Sequence, residues 1–386
     1  MNKKINISKI IDYDKFKCTA DKCKFTCCEG WDINIDQNTF SKWKKEEDKF
    51  DYILSNLRTE NNSENQYFID KYTHAKCPLL DENGLCNIVK SHGEEYLSLT
   101  CHTFPRIKNE FKNRNEFSLS CSCPEVVEII SNINGKIEMI YEEDENSIDN
   151  SLEFKIRNVL INIIEQDEID LDYKLIISFQ MLLGILENIH INERKLLTQI
   201  DQYNDKNYLK DTENMYKEIN LNIEESIEEV NNLFLDIVDN YRDVSGIGDI
   251  LEEISSFAEE IEIDYLCDEW KEYKNIFREK DKLIKNCIVS KIISNCNSSD
   301  IEELILSFQT ILLEYILIRY ALFLKYCIDG SKEVNIKDIK DMENDYLLTY
   351  SNCIMAKPKQ SVWPLRKKKA LPQALTMNEL AWWLRW

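Results

Sequence analysis

Between residues 125 and 357 the chain contains no proline, and the whole sequence holds only 8 glycines. Sheets and tight turns lean on both residues, so a stretch this long without its usual turn formers is expected to fold into helices. The apolar pattern agrees. Leu152, Ile156, Val159, Leu160 and Ile163 fall at i, i+4, i+7, i+8 and i+11, which is one face of a helix. Residues 173–190, 219–241, 250–263, 283–295 and 301–328 read the same way, and the stretch predicts six to eight helices. Asp300, with Glu303 three residues on, starts the last of these as a capping residue, and Gly330 closes it.

That last segment is also the most apolar of the chain. Glu302, Glu303, Gln309, Glu314, Arg319 and Lys325 interrupt it, and a charge every few residues is too costly in lipid. It predicts a buried or amphipathic helix rather than a membrane span. The first ten residues lack the apolar region of a signal peptide, so a cytoplasmic protein is expected. Disulfides are rare in that compartment, and clustered cysteines there read as metal ligands or reactive thiols.

The cysteines are clustered. Nine of the 14 lie in the first 123 residues: Cys18, Cys23, Cys27, Cys28, Cys77, Cys86, Cys101, Cys121 and Cys123. His74, His92 and His102 lie there too, and Pro78, Pro105 and Pro124 sit beside or shortly after a cysteine. This part predicts a loop-rich module of short strands and helices wrapped around a site, with one helix starting near Asp36 and running through Trp43. Cys18, Cys23, Cys27 and Cys28 pack four thiols into one short segment, and thiolates are soft donors suited to iron–sulfur clusters and to zinc. Neighbouring side chains diverge, so Cys27 and Cys28 are not expected on a single ion; they suit two irons of one cluster, or one of them is structural. The two CxxC knuckles of a zinc ribbon are missing. Cys77-Pro78 and Cys123-Pro124 repeat a pairing found in ferredoxin ligand loops, where the fixed φ of proline shapes the turn. Cys267, Cys287, Cys296, Cys327 and Cys353 are scattered singly and read as ordinary helix thiols.

Charge divides the chain as well. Residues 1–123 carry 19 basic and 19 acidic residues, whereas 124–355 carry a net −28. A field of that sign repels nucleic acid and attracts a lysine-rich partner, although a merely solvated helical surface has the same look. Residues 356–386 carry a net +6, four of the 7 tryptophans and the run Arg366-Lys367-Lys368-Lys369. They read either as a membrane-touching or partner-binding tail or as sequence foreign to the protein; the abrupt change in composition favours the second. The organisation expected is therefore mainly α: a cysteine-rich module at 1–125, an acidic helical bundle domain at 126–355, and the basic tail.

With these residues in view the chain resembles a known family. Cys18, Cys23, Cys27-Cys28 and Gly30-Trp31, followed by Cys77-Pro78, Gly93-Glu94-Glu95-Tyr96-Leu97-Ser98, Thr100-Cys101, Phe104-Pro105-Arg106 and Cys123-Pro124-Glu125, are similar to the flagellin lysine-N-methylase family, within a broader CxxCxxCC-type zinc- or iron-chelating group. These motifs cover residues 13–125; the helical remainder is similar only in character and length. The resemblance implies S-adenosylmethionine-dependent methylation of flagellin lysines by a protein that holds a 4Fe-4S cluster, with zinc as the alternative metal. The ligand candidates are Cys18, Cys23, Cys27, Cys28, Cys77, Cys86, Cys101 and Cys123. Cys121 is extra to the family pattern, and the tryptophan-rich tail has no counterpart in it.

Lysine methylation is an in-line displacement at a sulfonium, and the attacking amine must be neutral although free lysine has a pKa of about 10.4. The enzyme must desolvate the amine or supply a base. Glu29, Glu94, Glu95, Tyr96 and His102 are candidates, each with an equally available role as a surface or supporting residue, and no catalytic residue is assigned. Arg106 is the candidate for binding the carboxylate of S-adenosylmethionine bidentately, with a structural ion pair as its other role. No GxGxG follows a strand, so a doubly wound methyltransferase fold is not expected, and the radical pattern Cys-x3-Cys-x2-Cys is missing. The alternative function is a non-enzymatic metal-binding or electron-transfer module that uses its helices for docking.

Overall fold

The structure is a computed structural model. It describes residues 6–23, 27–28, 33–61, 65–70, 77–111, 113–141, 151–188, 193–220, 222–241, 248–330 and 332–342. Glu29, Gly30, Trp31, His74, Cys353 and the tail at 356–386 lie outside the described residues.

The architecture is mainly α, as expected. Helices Leu152–Ile164, Leu171–Glu187, Ile223–Tyr241, Gly248–Glu260, Lys282–Asn295 and Ile301–Asp329 occupy the segments that the apolar periodicity marked. The segment read as 250–263 ends as a helix at Glu260, and a new helix, Ile263–Arg278, begins three residues later. That helix was not anticipated, although Leu266, Trp270, Tyr273 and Phe277 recur at its buried face with helical spacing. Helices Glu193–Asp201 and Lys206–Glu218 were not anticipated either.

The helix Ile301–Asp329 is buried on nearly every side, and the helices at 171–187, 223–241, 248–260, 263–278 and 282–295 all pack against it. Asp300 caps it by accepting from the amides of Glu302 (2.9 Å) and Glu303 (3.4 Å), and Gly330 ends it in the left-handed region at φ 58°. Several of its interior polar groups find partners on neighbouring helices. Tyr315 Oη and Arg319 Nη1 donate to Asp172 Oδ1 at 2.6 and 2.9 Å, and Tyr273 Oη donates to the Arg319 carbonyl at 2.9 Å. Among the described residues, no helix is long and apolar enough to cross a membrane.

Among the described residues, seven short strands complete the fold: β1 (Asn6–Ile10), β2 (Asn34–Ile35), β3 (Leu57–Asn61), β4 (Asn65–Ile69), β5 (Arg106–Glu110), β6 (Arg114–Leu119) and β7 (Met139–Tyr141). One sheet has the order β5-β6-β1-β7, with β1 parallel to β6 and antiparallel to β7. The other is antiparallel, in the order β2-β4-β3. The described residues form two hydrophobic cores. The larger takes in the helices together with Ile10, Phe16, Leu119, Cys121 and Cys123. The smaller consists of Ile33, Ile35, Trp43, Phe50, Ile53, Ile69, Cys77, Leu79 and Ile88.

Asp172 is the buried carboxylate on which two helices meet. Replacing it with Ala deprives Arg319 and Tyr315 of their shared acceptor at a site with little water. Breaking a buried pair in this way costs about 3–5 kcal/mol. Urea denaturation followed by circular dichroism should show a large drop in midpoint for Asp172→Ala and a smaller one for Tyr315→Phe, which removes a single hydrogen bond.

Candidate metal centre

The cysteine-bearing loops are placed by a small number of polar anchors around the smaller core. Asp36 is the first. It caps helix Gln37–Lys45 by accepting from the Thr39 amide at 3.0 Å, and its other oxygen accepts from Thr39 Oγ1 at 2.7 Å and from the Leu99 amide at 2.8 Å. Leu99 opens helix Leu99–Thr103, which carries Cys101, so one carboxylate ties down two helix N-termini. Burial opposes the charge on Asp36, but the bonds from Leu99 and Thr39 outweigh it and hold this carboxyl below its usual range. Ser98, itself buried, caps the same short helix by accepting from the Cys101 amide at 3.2 Å.

The run from Gly93 to Ser98 is scaffold for that helix. Gly93, at φ 98°, accepts the end of helix Asn87–His92 in a conformation that side-chain-bearing residues rarely adopt. Trp43 Nε1 donates to the Tyr96 carbonyl at 3.1 Å, and Lys42 Nζ donates to the Glu95 carbonyl at 2.7 Å. Lys42 also lies 3.7 Å from the centroid of the Tyr96 ring, while Phe50 packs on both His92 and Tyr96. Tyr96 and His92 are thus occupied in packing. Glu94, Glu95 and His102 are exposed.

The thiols act on one another electrostatically in two sets that share Cys18. Cys27 and Cys28, expected to diverge as chain neighbours, instead hydrogen-bond to each other. That bond, then burial, then the negative potential of Cys28, Cys101 and Cys18 push the Cys27 thiol far above its usual range. The Cys77 amide donates to the Cys28 carbonyl at 3.2 Å, which joins the two cysteine-rich segments, and the Cys77 side chain is part of the smaller core. Cys86 heads helix Asn87–His92. Burial raises its pKa, the amides of Val89 and Ile88 pull it down, and the charge of Cys28 raises it again. The second group lies at the edge of the larger core. Cys123 is pushed up to about 11, by burial first, against the pull of the Val126 and Glu125 amides and with the added repulsion of Cys23 and Cys18. Cys121 does not join either group: its Sγ faces the Cys287 carbonyl at 4.0 Å as a buried core thiol.

Arg106 stands near the second group. The Pro105 carbonyl accepts from Ser120, and the Ser120 carbonyl accepts from Cys123, so the start of β5 is held against the Cys123 loop. The Arg106 guanidinium lies 4.9 Å from the centroid of Phe16, two residues before Cys18, and is exposed. Among the described residues, no ion pair is formed by Arg106.

Among the described residues, no three His, Cys, Asp or Glu side chains are placed to hold a single metal ion. A mononuclear zinc site needs its ligands within bonding distance of one point. A cluster presents a separate iron to each thiolate, so its ligands stand further apart. Thiols close enough to raise each other's pKa are soft donors that suit an iron–sulfur cluster or zinc, and either positive centre would relieve their mutual repulsion.

Asp36 was legible as a helix cap; its bond to Leu99 was not, because nothing local signals a partner 63 residues away. Asp36→Ala should destabilise the protein by about 1 kcal/mol or more, as lost caps do. Because the folded pKa of Asp36 is depressed, its contribution is present above the unfolded value of about 3.9 and is lost as pH falls through the folded value. Urea midpoints of wild type and variant should therefore differ at neutral pH and approach each other in strong acid.

Residues 157–346 match the family model described as the FliB lysine N-methylase C-terminal domain. The chain is 35% identical over 136 residues to a lysine-N-methylase of Salmonella typhimurium strain LT2, covering 34% of this chain and 33% of that one. A lysine-N-methylase of Salmonella choleraesuis strain SC-B67 matches to the same extent. With the flagellar biosynthetic protein FliU of Salmonella muenchen the identity is 34% over 134 residues, covering 34% of this chain and 79% of that protein. The chain thus matches about a third of the length of these lysine-N-methylases. No solved structure gives a significant match. A domain model over the helical part and a relative covered across most of its length lead to one conclusion: the chain belongs to the FliB lysine N-methylase family.

Proposed function

We propose that this protein is a protein-lysine N-methyltransferase that transfers the methyl group of S-adenosylmethionine to lysine side chains of flagellin, with a 4Fe-4S cluster held by its N-terminal cysteines. The observation that carries the activity is the similarity to relatives named lysine-N-methylase; the name of the flagellar relative suggests the substrate. In this reading residues 1–125 form the metal-binding module and 126–355 the acidic domain that meets the substrate, in the cytoplasm.

Cys18, Cys27, Cys28 and Cys101 are the thiols best placed to share one cluster, because each acts on the Cys27 thiol. Cys23, Cys123, Cys86 and Cys77 surround them and remain part of the candidate set. A bound cluster would supply Lewis-acidic iron in an otherwise thiol-rich pocket. The chain's own contribution beside it is Arg106, whose exposed guanidinium presents a fork that suits the carboxylate of the methyl donor. Glu224, Glu225, Glu228 and Glu229 line the exposed face of helix Ile223–Tyr241, and such a surface suits a lysine-rich partner.

The test is to incubate anaerobically prepared protein with S-adenosylmethionine and flagellin and to weigh the flagellin by mass spectrometry. Mass increments of one methyl group are expected, and Arg106→Met should raise the KM for S-adenosylmethionine at least tenfold. Flagellin of unchanged mass contradicts the methyltransferase and favours the non-enzymatic metal-binding module.

A further inference from the structure

Helix Lys206–Glu218 buries Leu209, Thr212 and Glu213 and leaves its other side in solvent. On that side stands Met215, 68% exposed, the barest large apolar side chain among the described residues. Ile219, which ends the helix four positions on, falls on the same side and is 40% exposed. Ile223, which opens helix Ile223–Tyr241, is 40% exposed as well. Three large apolar residues thus stand in water within nine residues of chain, at the corner between two helices. An exposed Ile or Met standing alone is ordinary, but apolar residues grouped inside a polar rim mark an interaction surface. Methionine suits one, because its unbranched side chain adapts to what it meets.

The rim is acidic. Residues 206–229 carry three basic and seven acidic residues, a net −4. Lys210 and Lys217 are drawn to the buried Glu213, at 2.6 and 2.9 Å. Glu218, Glu224 and Asp264 are exposed. Glu224 and Asp264 come from different helices, yet both act on Cys267 of helix Ile263–Arg278: burial first, then the charge of these two carboxylates, raises its thiol. The helices that carry them pack on one another. Glu224 directly follows Ile223, so this acidic pair borders the apolar corner. A second copy of the chain is a poor occupant, since two faces of the same sign repel, and nucleic acid is repelled in the same way. A partner with lysines beside apolar residues meets both parts of the surface.

We propose that the corner made by Met215, Ile219 and Ile223, with Glu218, Glu224 and Asp264 around it, docks a segment of the flagellin substrate that carries lysines next to apolar side chains. That occupant rests on the flagellin-methylating reading of the chain. None of the candidate ligand thiols, nor Arg106, lies on these helices. The corner therefore contributes affinity for the protein substrate and leaves the reacting atoms to the rest of the chain.

The test measures flagellin binding to the full-length, metal-loaded chain by biolayer interferometry, at low and at physiological ionic strength. Met215→Ser combined with Ile219→Ser should weaken binding about tenfold or more at both, mostly through faster dissociation. Glu218→Lys combined with Glu224→Lys should slow association at low salt, and the difference should shrink as salt screens it. In methylation assays the loss should appear in the KM for flagellin. Ile336→Ser removes an apolar side chain that is 52% exposed and distant from the corner in sequence, and it should bind as wild type does. Circular dichroism and metal content should match wild type in all three. Wild type that binds flagellin without methylating it, with binding weakened in the Met215/Ile219 variant, keeps the docking surface and removes the methyltransferase. Wild type that does not bind flagellin, a Met215/Ile219 variant that binds within about twofold of wild type, or equal weakening by Ile336→Ser overturns the docking surface.

Discussion

A helix that is apolar around nearly its whole circumference can exist in water only if other elements cover every side of it. Ile301–Asp329 is such a helix, and most of the helical architecture follows from covering it. The helices at 171–187, 263–278 and 282–295 are long enough to lie along it, and those at 223–241 and 248–260 close the remaining faces. Each buried Leu or Ile is worth about 1.5–3 kcal/mol, so this one element supplies a large share of the apolar burial on which the domain depends. The same burial explains the internal pairing of its charged residues Glu314, with Lys291, and Arg319, with Asp172, which also accepts from Tyr315.

The N-terminal part is under the opposite constraint. Its own core is small, and much of its order comes from hydrogen bonds that span long sequence distances, such as those of Asp36, Trp43 and Ser98. Module cores of this size commonly need a staple, and clustered thiols are the material for one. If the thiols hold the proposed cluster, metal binding and folding form one equilibrium. The thiols that raise each other's pKa in the bare protein are those whose repulsion a positive cluster would relieve.

What the sequence made legible was local. The caps at Asp36 and Asp300, the stop at Gly330 and the helical stripes need only residues within a few positions of one another, and all are where the pattern placed them. The cysteine grouping was legible because thiols rarely cluster without a reason. Non-local pairing was not: the sheet joins residues 6–10 to 114–119 and 139–141, and no periodicity announces those partners. The strand at 114–119 is the clearest case. Strict alternation points Phe117 inward and leaves Arg114 and Glu116 in solvent; the structure buries the charged face, because Arg157 meets it there from another element. The hydrogen bond between Cys27 and Cys28 was likewise hidden, since the divergence of neighbouring side chains is a rule for regular structure and these two lie in a turn.

The claim at the centre of this account is that the N-terminal thiols hold an iron–sulfur cluster on which the module's fold depends. It is tested most directly by measuring iron and acid-labile sulfide in protein purified without oxygen, for wild type, Cys101→Ala and Cys121→Ala. The account predicts brown wild-type protein with absorption near roughly 400 nm and about four irons and four sulfides per chain, as a thiolate-bound 4Fe-4S cluster requires. Cys121→Ala should keep them, because that thiol faces a helix carbonyl in the core, and Cys101→Ala should lose iron and solubility together. Colourless wild-type protein with stoichiometric zinc and no sulfide, or full iron retention in Cys101→Ala, would contradict it.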